Sequence, residues 1–150
     1  MNSSATTTAQ PLHDFSQCHV GILNRLDQLG ALPGMLVAAA QARKTAQDAL
    51  SFFRVAVFEH HSEEERELFP AVLGSATQGE ESDRVKALSD RLTREHRDLE
   101  SRWKKLEPGL KRVAKGQDTD LDTTALAELV ALYTAHARFE EAEYLPLAHT

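Results

Sequence analysis

The chain has 150 residues, which suits one domain with a single core, and its 41% hydrophobic and 27% charged residues are ordinary for a soluble globular protein. A net charge of -6 with no Lys/Arg stripe speaks against nucleic acid or an anionic membrane as partner. No apolar run approaches the roughly 20 residues that span a bilayer. The single cysteine, Cys18, rules out an internal disulfide framework and any Cys-based zinc site, so a cytoplasmic location is expected.

Residues 1–10 are Ser/Thr/Ala-rich and read as a disordered leader, leaving 11–150 as the folded domain. The first helix is predicted over Pro11–Gly30, where Phe15, His19, Ile22, Leu23, Leu26 and Leu29 recur at three- and four-residue steps. Ala31-Leu32-Pro33-Gly34 reads as a turn, followed by an Ala-rich helical stretch from Met35 to Ala42. The second long helix is predicted over Lys44–Ser75, with Ala49, Phe52, Phe53, Ala56, Val57 and His60 on its inner face. Pro70 removes one backbone donor near its end and should kink or shift it locally.

Thr77-Gln78-Gly79 breaks the chain, and a third helix follows over Glu80–Lys115, carrying Val85, Leu88, Leu92, His96, Leu99, Trp103 and Leu106. Pro108 lies inside it and is expected to end or bend it. Gly116–Asp122 is a polar loop. The fourth helix, Thr123–Leu147, carries Leu126, Leu129, Val130, Leu132, Tyr133, His136 and Phe139. No segment reads as a strand. Long amphipathic helices with short connections imply an all-α, up-down-up-down four-helix bundle.

His19, His60, His96 and His136 fall one per helix, each on an apolar stripe, where a group able to carry charge is costly unless it has a partner. Bundles build metal sites from such inward side chains. The second and fourth helices repeat a frame: His60-x3-Glu64-Glu65-x-Glu67-x-Phe69-Pro70 and His136-x3-Glu140-Glu141-x-Glu143-x-Leu145-Pro146. Residues four apart lie about 40° apart around a helix, so each His and Glu address one spot. Imidazole with carboxylate and no thiolate suits iron or manganese better than structural zinc. A single HxxxE would more often be a surface ion pair; two in matching frames, with a lone inward His on each remaining helix, favour a metal site.

In order and spacing these residues resemble the hemerythrin-like HHE cation-binding domains, whose pattern is H…HxxxE…H…HxxxE. The resemblance runs from about Leu12 to Ala148. It implies two iron ions in an oxo- or hydroxo-bridged di-iron centre, with His19, His60, His96 and His136 as terminal ligands and Glu64 and Glu140 as bridging carboxylates. Oxygen-carrying hemerythrins have a paired HxxxH on the third helix, where this chain has His96-Arg-Asp-Leu-Glu100, a departure from the pattern for reversible oxygen carriage.

His61 is the candidate seventh ligand, within the same inward arc as His60 and Glu64; the alternative is a histidine that orients ligands from outside the coordination sphere. The repeat has Ala137 at the equivalent position, so ligation by His61 would leave the two metals unequal. Glu100 is a weaker claimant to the seventh position and reads more readily as a solvated residue near a helix surface. His13 and His149 read as exposed, Cys18 as a packed thiol, and Trp103 and Tyr133 as core rather than electron relays, with Tyr133 one turn from His136 and so still a candidate for a role at the site. The outer parts of the Glu63–Glu67 and Glu140–Glu143 runs read as a solvated face. Leu92, Leu99, Leu132, Phe139, Ile22 and Phe15 are expected to wall a small apolar pocket.

The function expected is binding or sensing of a small diatomic ligand or peroxide (dioxygen, nitric oxide), with iron holding as a further role. The alternative is an oxidoreductase turning over peroxide or nitric oxide at the same centre. The chain is expected as monomer or homodimer, and the sequence names no redox or signalling partner.

Overall fold

A computed structural model describes residues 9–149; the leader up to residue 8 and the side chains of His13, Phe15 and His149 lie outside the described part. The described chain is all helix and turn, with no strand. Helix α1 spans Ala9–Phe52, α2 Phe58–Glu63, α3 Phe69–Ser75, α4 Glu80–Ala114 and α5 Thr123–Phe139. Three widened π-helical turns interrupt them: π1 at Phe53–Val57, π2 at Glu64–Leu68 and π3 at Glu140–Tyr144. A 3-10 turn, Leu145–His149, closes the described chain.

The turn expected at Ala31–Gly34 is not formed: α1 runs through Pro33, joining the first helix, the Ala-rich stretch and the start of the second. Pro33 leaves one carbonyl, that of Leu29, without its donor, and Leu29 and Leu32 are exposed, so water can serve it. The flanking Leu, Met and Ala residues are strong helix formers and continue the helix on either side. The stripe of Ile22, Leu23, Leu26 and Leu29, expected on an inner face, is exposed, and so is Cys18.

Residues up to Gln41 and those from Ala42 onward form two compact units. In the second unit three helical legs pack antiparallel. Between the α2–α3 leg and α4, the pairs His61–Glu100 and Glu65–His96 run in opposite chain directions. Between α4 and the α5–π3 leg, Arg102–Glu128, Glu95–His136 and Ser89–Tyr144 do the same.

Two apolar clusters fill this unit. Phe69, Val72, Val85, Leu92 and Tyr144 form one. Leu99, Trp103, Leu106, Leu110 and Leu129 form the other, with Phe53 stacked on Trp103 at 4.6 Å. Along α4, His96 falls between Leu92 of the first and Leu99 of the second, so a buried polar layer separates the two. Helix α4 also runs through Pro108, because Leu106 and Leu110 are both buried and hold the helix on either side of it.

The expected breaks at Thr77–Gly79 and Gly116–Asp122 are present. Gly79 and Gly116 take positive φ of 101° and 70°, a backbone that L side chains rarely adopt. Past Gly116 the Gln117 amide donates to the Arg112 carbonyl at 2.9 Å, closing the end of α4. Asp122 caps α5 by accepting from the Ala125 amide at 2.9 Å. Asp122→Ala should therefore cost about 1 kcal/mol of unfolding free energy, read by urea denaturation of the metal-free protein; an unchanged midpoint would show that the cap contributes nothing.

Candidate metal centre

The polar layer is built from three legs. His60 and His61 lie on α2, Glu64 opens π2, His96 sits mid-way along α4, His136 near the end of α5, and Glu140 opens π3. The sequence repeat is thus also a backbone repeat: each HxxxE glutamate begins a π-turn, and each π-turn is followed by a proline, Pro70 or Pro146. Phe69 and Leu145 donate five residues back, to the Glu64 and Glu140 carbonyls. The shift expected from Pro70 takes this form; with no N–H and a bulky ring on proline, the preceding turn opens to a longer hydrogen-bond ring.

These residues fall into two groups. Nitrogens of His61, His96 and His136, all buried, lie within 4.8 Å of one another; so do donor atoms of His60, Glu64 and Glu140. Glu64 Oε1 joins the groups, standing 3.4 Å from both His60 Nε2 and His96 Nε2. Glu140 Oε2 stands 3.5 Å from His136 Nε2. His19, on α1, is exposed and belongs to neither group.

Each ring of the first group is held from behind. Carboxylates only accept, so Nδ1 carries the proton in all three. His61 donates to Glu100 at 2.9 Å, His96 to Glu65 at 2.7 Å and His136 to Glu95 at 2.7 Å. Arg97 pairs with both Glu65 and Glu100, and Arg91 with Glu95. The three Nε2 atoms are left facing inward. That of His61 accepts from the Tyr133 hydroxyl at 2.8 Å, and the ring stacks on His96 at 3.9 Å.

Glu100, expected as a solvated residue, is thus an anchor of the centre, as is Glu65 from the run read as an outer face. Glu95 and Glu65 were legible only as sequence neighbours of His96 and Glu64. Tyr133, read as core, puts its hydroxyl on a site histidine.

The electrostatics fit a cation. His96 Nε2 and both Glu64 oxygens are buried with no hydrogen-bond partner, an arrangement that costs about 1–3 kcal/mol per group unless something binds there. Burial lowers the pKa of His61, against the pull of Glu100. Burial alone would lower His96 too, but Glu64 and Glu65 outweigh it and raise it. Burial and then the Glu64 charge push Glu140 up to about 9, so one proton remains on the carboxylate pair when no cation is present. Burial together with Glu64, Glu140 and Glu100 pushes the Tyr133 phenol up to about 12, keeping it a neutral donor.

Beside the second group opens a cavity of about 240 Å³, bounded by His60, Glu64, Tyr133, His136, Ala137 and Glu140. The break in the repeat explains it: where one leg carries His61, filling the first group, the other carries Ala137, whose small side chain leaves space. The expected walls differ. Leu92 and Leu99 are core residues, Phe139 packs under the Arg91 guanidinium at 3.7 Å, and Ile22 is exposed. Leu99 and Leu132 line a separate cavity of about 210 Å³ near Glu95. Phe15 lies outside the described side chains.

A helical bundle with an inward layer of imidazoles and carboxylates defines a class of metal-binding protein. The chain matches the family described as hemerythrin HHE cation binding domain over residues 10–148 and belongs to it. It is 27% identical over 138 residues to a Haemophilus influenzae protein described only as uncharacterized, covering 90% of this chain and 77% of that one. No solved structure matches. Among the described residues no helix is long and apolar enough to cross a membrane.

Proposed function

We propose that this chain holds two iron ions and binds a small molecule, dioxygen, nitric oxide or peroxide, beside one of them. His61, His96 and His136 hold the first ion, His60 holds the second, and Glu64 and Glu140 serve both. The observation that carries this reading is Glu64 Oε1, equidistant at 3.4 Å from a histidine of each group. Imidazole with carboxylate and no thiolate favours iron over structural zinc, and Cys18 is exposed. The 240 Å³ cavity suits a small ligand or a few waters. Metal analysis after iron-replete expression, joined to an anomalous-scattering map, tests it: two iron ions on these side chains are expected, and a colourless, iron-free protein would sink it.

The second reading, an oxidoreductase acting on peroxide or nitric oxide, is favoured by Tyr133, a neutral phenol on the wall of the same cavity. Bound iron would supply the redox chemistry, and the phenol would hold a proton at the hydroxyl oxygen for the bound molecule. Tyr133→Phe should then slow peroxide consumption at least about tenfold with iron content unchanged. No consumption by the wild type, with a reversible spectral change on exposure to oxygen, would return the protein to carriage or sensing.

A further inference from the structure

The two groups differ in how far they are assembled before any ion arrives. In the first, His61, His96 and His136 are 2%, 0% and 5% exposed. Each Nδ1 is hydrogen-bonded to a carboxylate, and each carboxylate is paired with Arg97 or Arg91. The rings have little rotamer freedom left to lose, and one nitrogen of each already lies within 4.8 Å of the others. His61 nevertheless stacks flat on His96 at 3.9 Å, and an ion must displace the Tyr133 hydroxyl from its Nε2. His60 is the opposite case. Its side chain is 62% exposed, and among the described residues its only polar contact is Glu64 at 3.4 Å, with nothing holding Nδ1. His19 is exposed as well.

We infer that the centre loads in order: the first ion enters the group of His61, His96 and His136, and the second binds more weakly at His60, Glu64 and Glu140. This rests on the two-metal reading proposed above. Two physical effects act in the same direction. Ordering a free imidazole on a surface helix costs conformational entropy that the anchored rings have already lost in folding. The second ion also enters beside the first, against the charge of an ion that already shares Glu64 and Glu140. Glu65, Glu95 and Glu100 are positioning residues in this scheme. They touch ligands from behind, and partners of that kind carry about 10–100-fold in metal affinity.

Anaerobic titration of the metal-free chain, with Co(II) as a spectroscopic probe and then with Fe(II), tests the order. Calorimetry reports stoichiometry and Co(II) ligand-field absorption reports the donor set. Two steps are expected, the first at least about tenfold tighter. His60→Ala, an exposed substitution that leaves the core untouched, should abolish the second step and preserve the affinity and spectrum of the first. Glu100→Gln should weaken the first step, and Glu100→Asp should recover part of the loss. Two equivalents with one indistinguishable affinity, or His60→Ala weakening the first step as much as the second, would overturn the order while leaving the two-metal site standing. Uptake of one equivalent or none by the wild type would remove the two-metal reading and the order with it.

Discussion

Glu140→Gln should make the metal-free protein more stable and the metal-loaded protein less stable than the wild type. Glu140 is 7% exposed, and burial with the neighbouring Glu64 charge raises its carboxyl from 4.5 to about 9. A folded-state pKa above the unfolded one gives a contribution that is complete below the unfolded value and lost as pH rises through the folded one. Metal-free stability should therefore decline across the interval from 4.5 to about 9. Glu64 acts in the acid range: burial opposes its ionisation, but His96, Glu140 and His60 hold its carboxyl at about 2. Its contribution is present above its unfolded value and is lost as the solution is acidified toward the folded one.

Glutamine keeps the shape of the protonated Glu140 side chain and does not titrate. The variant should lack the alkaline decline and gain about 1 kcal/mol or more at mildly alkaline pH, a shift of several degrees in melting temperature. With metal the sign reverses, because a neutral amide is a poor ligand and loses the coupling of binding to folding. Calorimetric melts with and without metal over the neutral and alkaline range read both effects. A metal-free variant less stable than the wild type at alkaline pH would show that Glu140 does not carry the shared proton.

His96→Leu should leave a folded protein that takes up one metal ion at most. His96 is fully buried, and its neighbours one turn away on the α4 stripe, Leu92 and Leu99, belong to the two apolar clusters. Leucine is similar in size and would join those clusters across the polar layer, removing a nitrogen that has no hydrogen-bond partner. Glu65 keeps Arg97. Metal-free stability should change by only about 1 kcal/mol, whereas His96→Ala would open a cavity costing about 2–4 kcal/mol. Metal analysis of the purified variant is the measurement, and two full equivalents would remove His96 from the ligand set.

Much of this was legible in the residues. Periodicity marked the buried stripe of α4, whereas Ile22, Leu23, Leu26, Leu29, Phe52, Val130 and Leu132, expected to face inward, are exposed; the glycine breaks at Gly79 and Gly116 fell where the backbone turns. The repeated HxxxE frame led to the layer that gathers His60, His61, Glu64, His96, His136 and Glu140. Other features were not legible for definite reasons. Pro33-Gly34 has the local chemistry of a turn, yet an exposed helix tolerates one missing donor, and only the surroundings decide between the two. Glu65, Glu95 and Glu100 stand among many surface glutamates, and one-dimensional spacing cannot tell which of them lies behind a ring on another leg. The cavity follows from what Ala137 lacks, and its walls come from two legs rather than from the stripe neighbours of the ligands.

The widened turns at Glu64–Leu68 and Glu140–Tyr144 set the phase of each leg. In a straight α-helix a residue five positions on points about 140° away, so Glu64 and Phe69 could not both face inward. The wider turn carries the helix round by less per residue, and both are buried. Each leg is thus two stretches of different angular phase, one directed at the metal layer and the other at the apolar end. Deleting one residue between Arg66 and Leu68 would make Phe69 the fourth residue after Glu64, about 40° away in an ordinary α-helix, and so keep it facing inward, whereas closing the full-length leg into an ordinary α-helix would turn Phe69 and Val72 out of the core by about 100°. The extra residue in each turn is thus what fits a donor and a core side chain, five positions apart, onto one face of the leg.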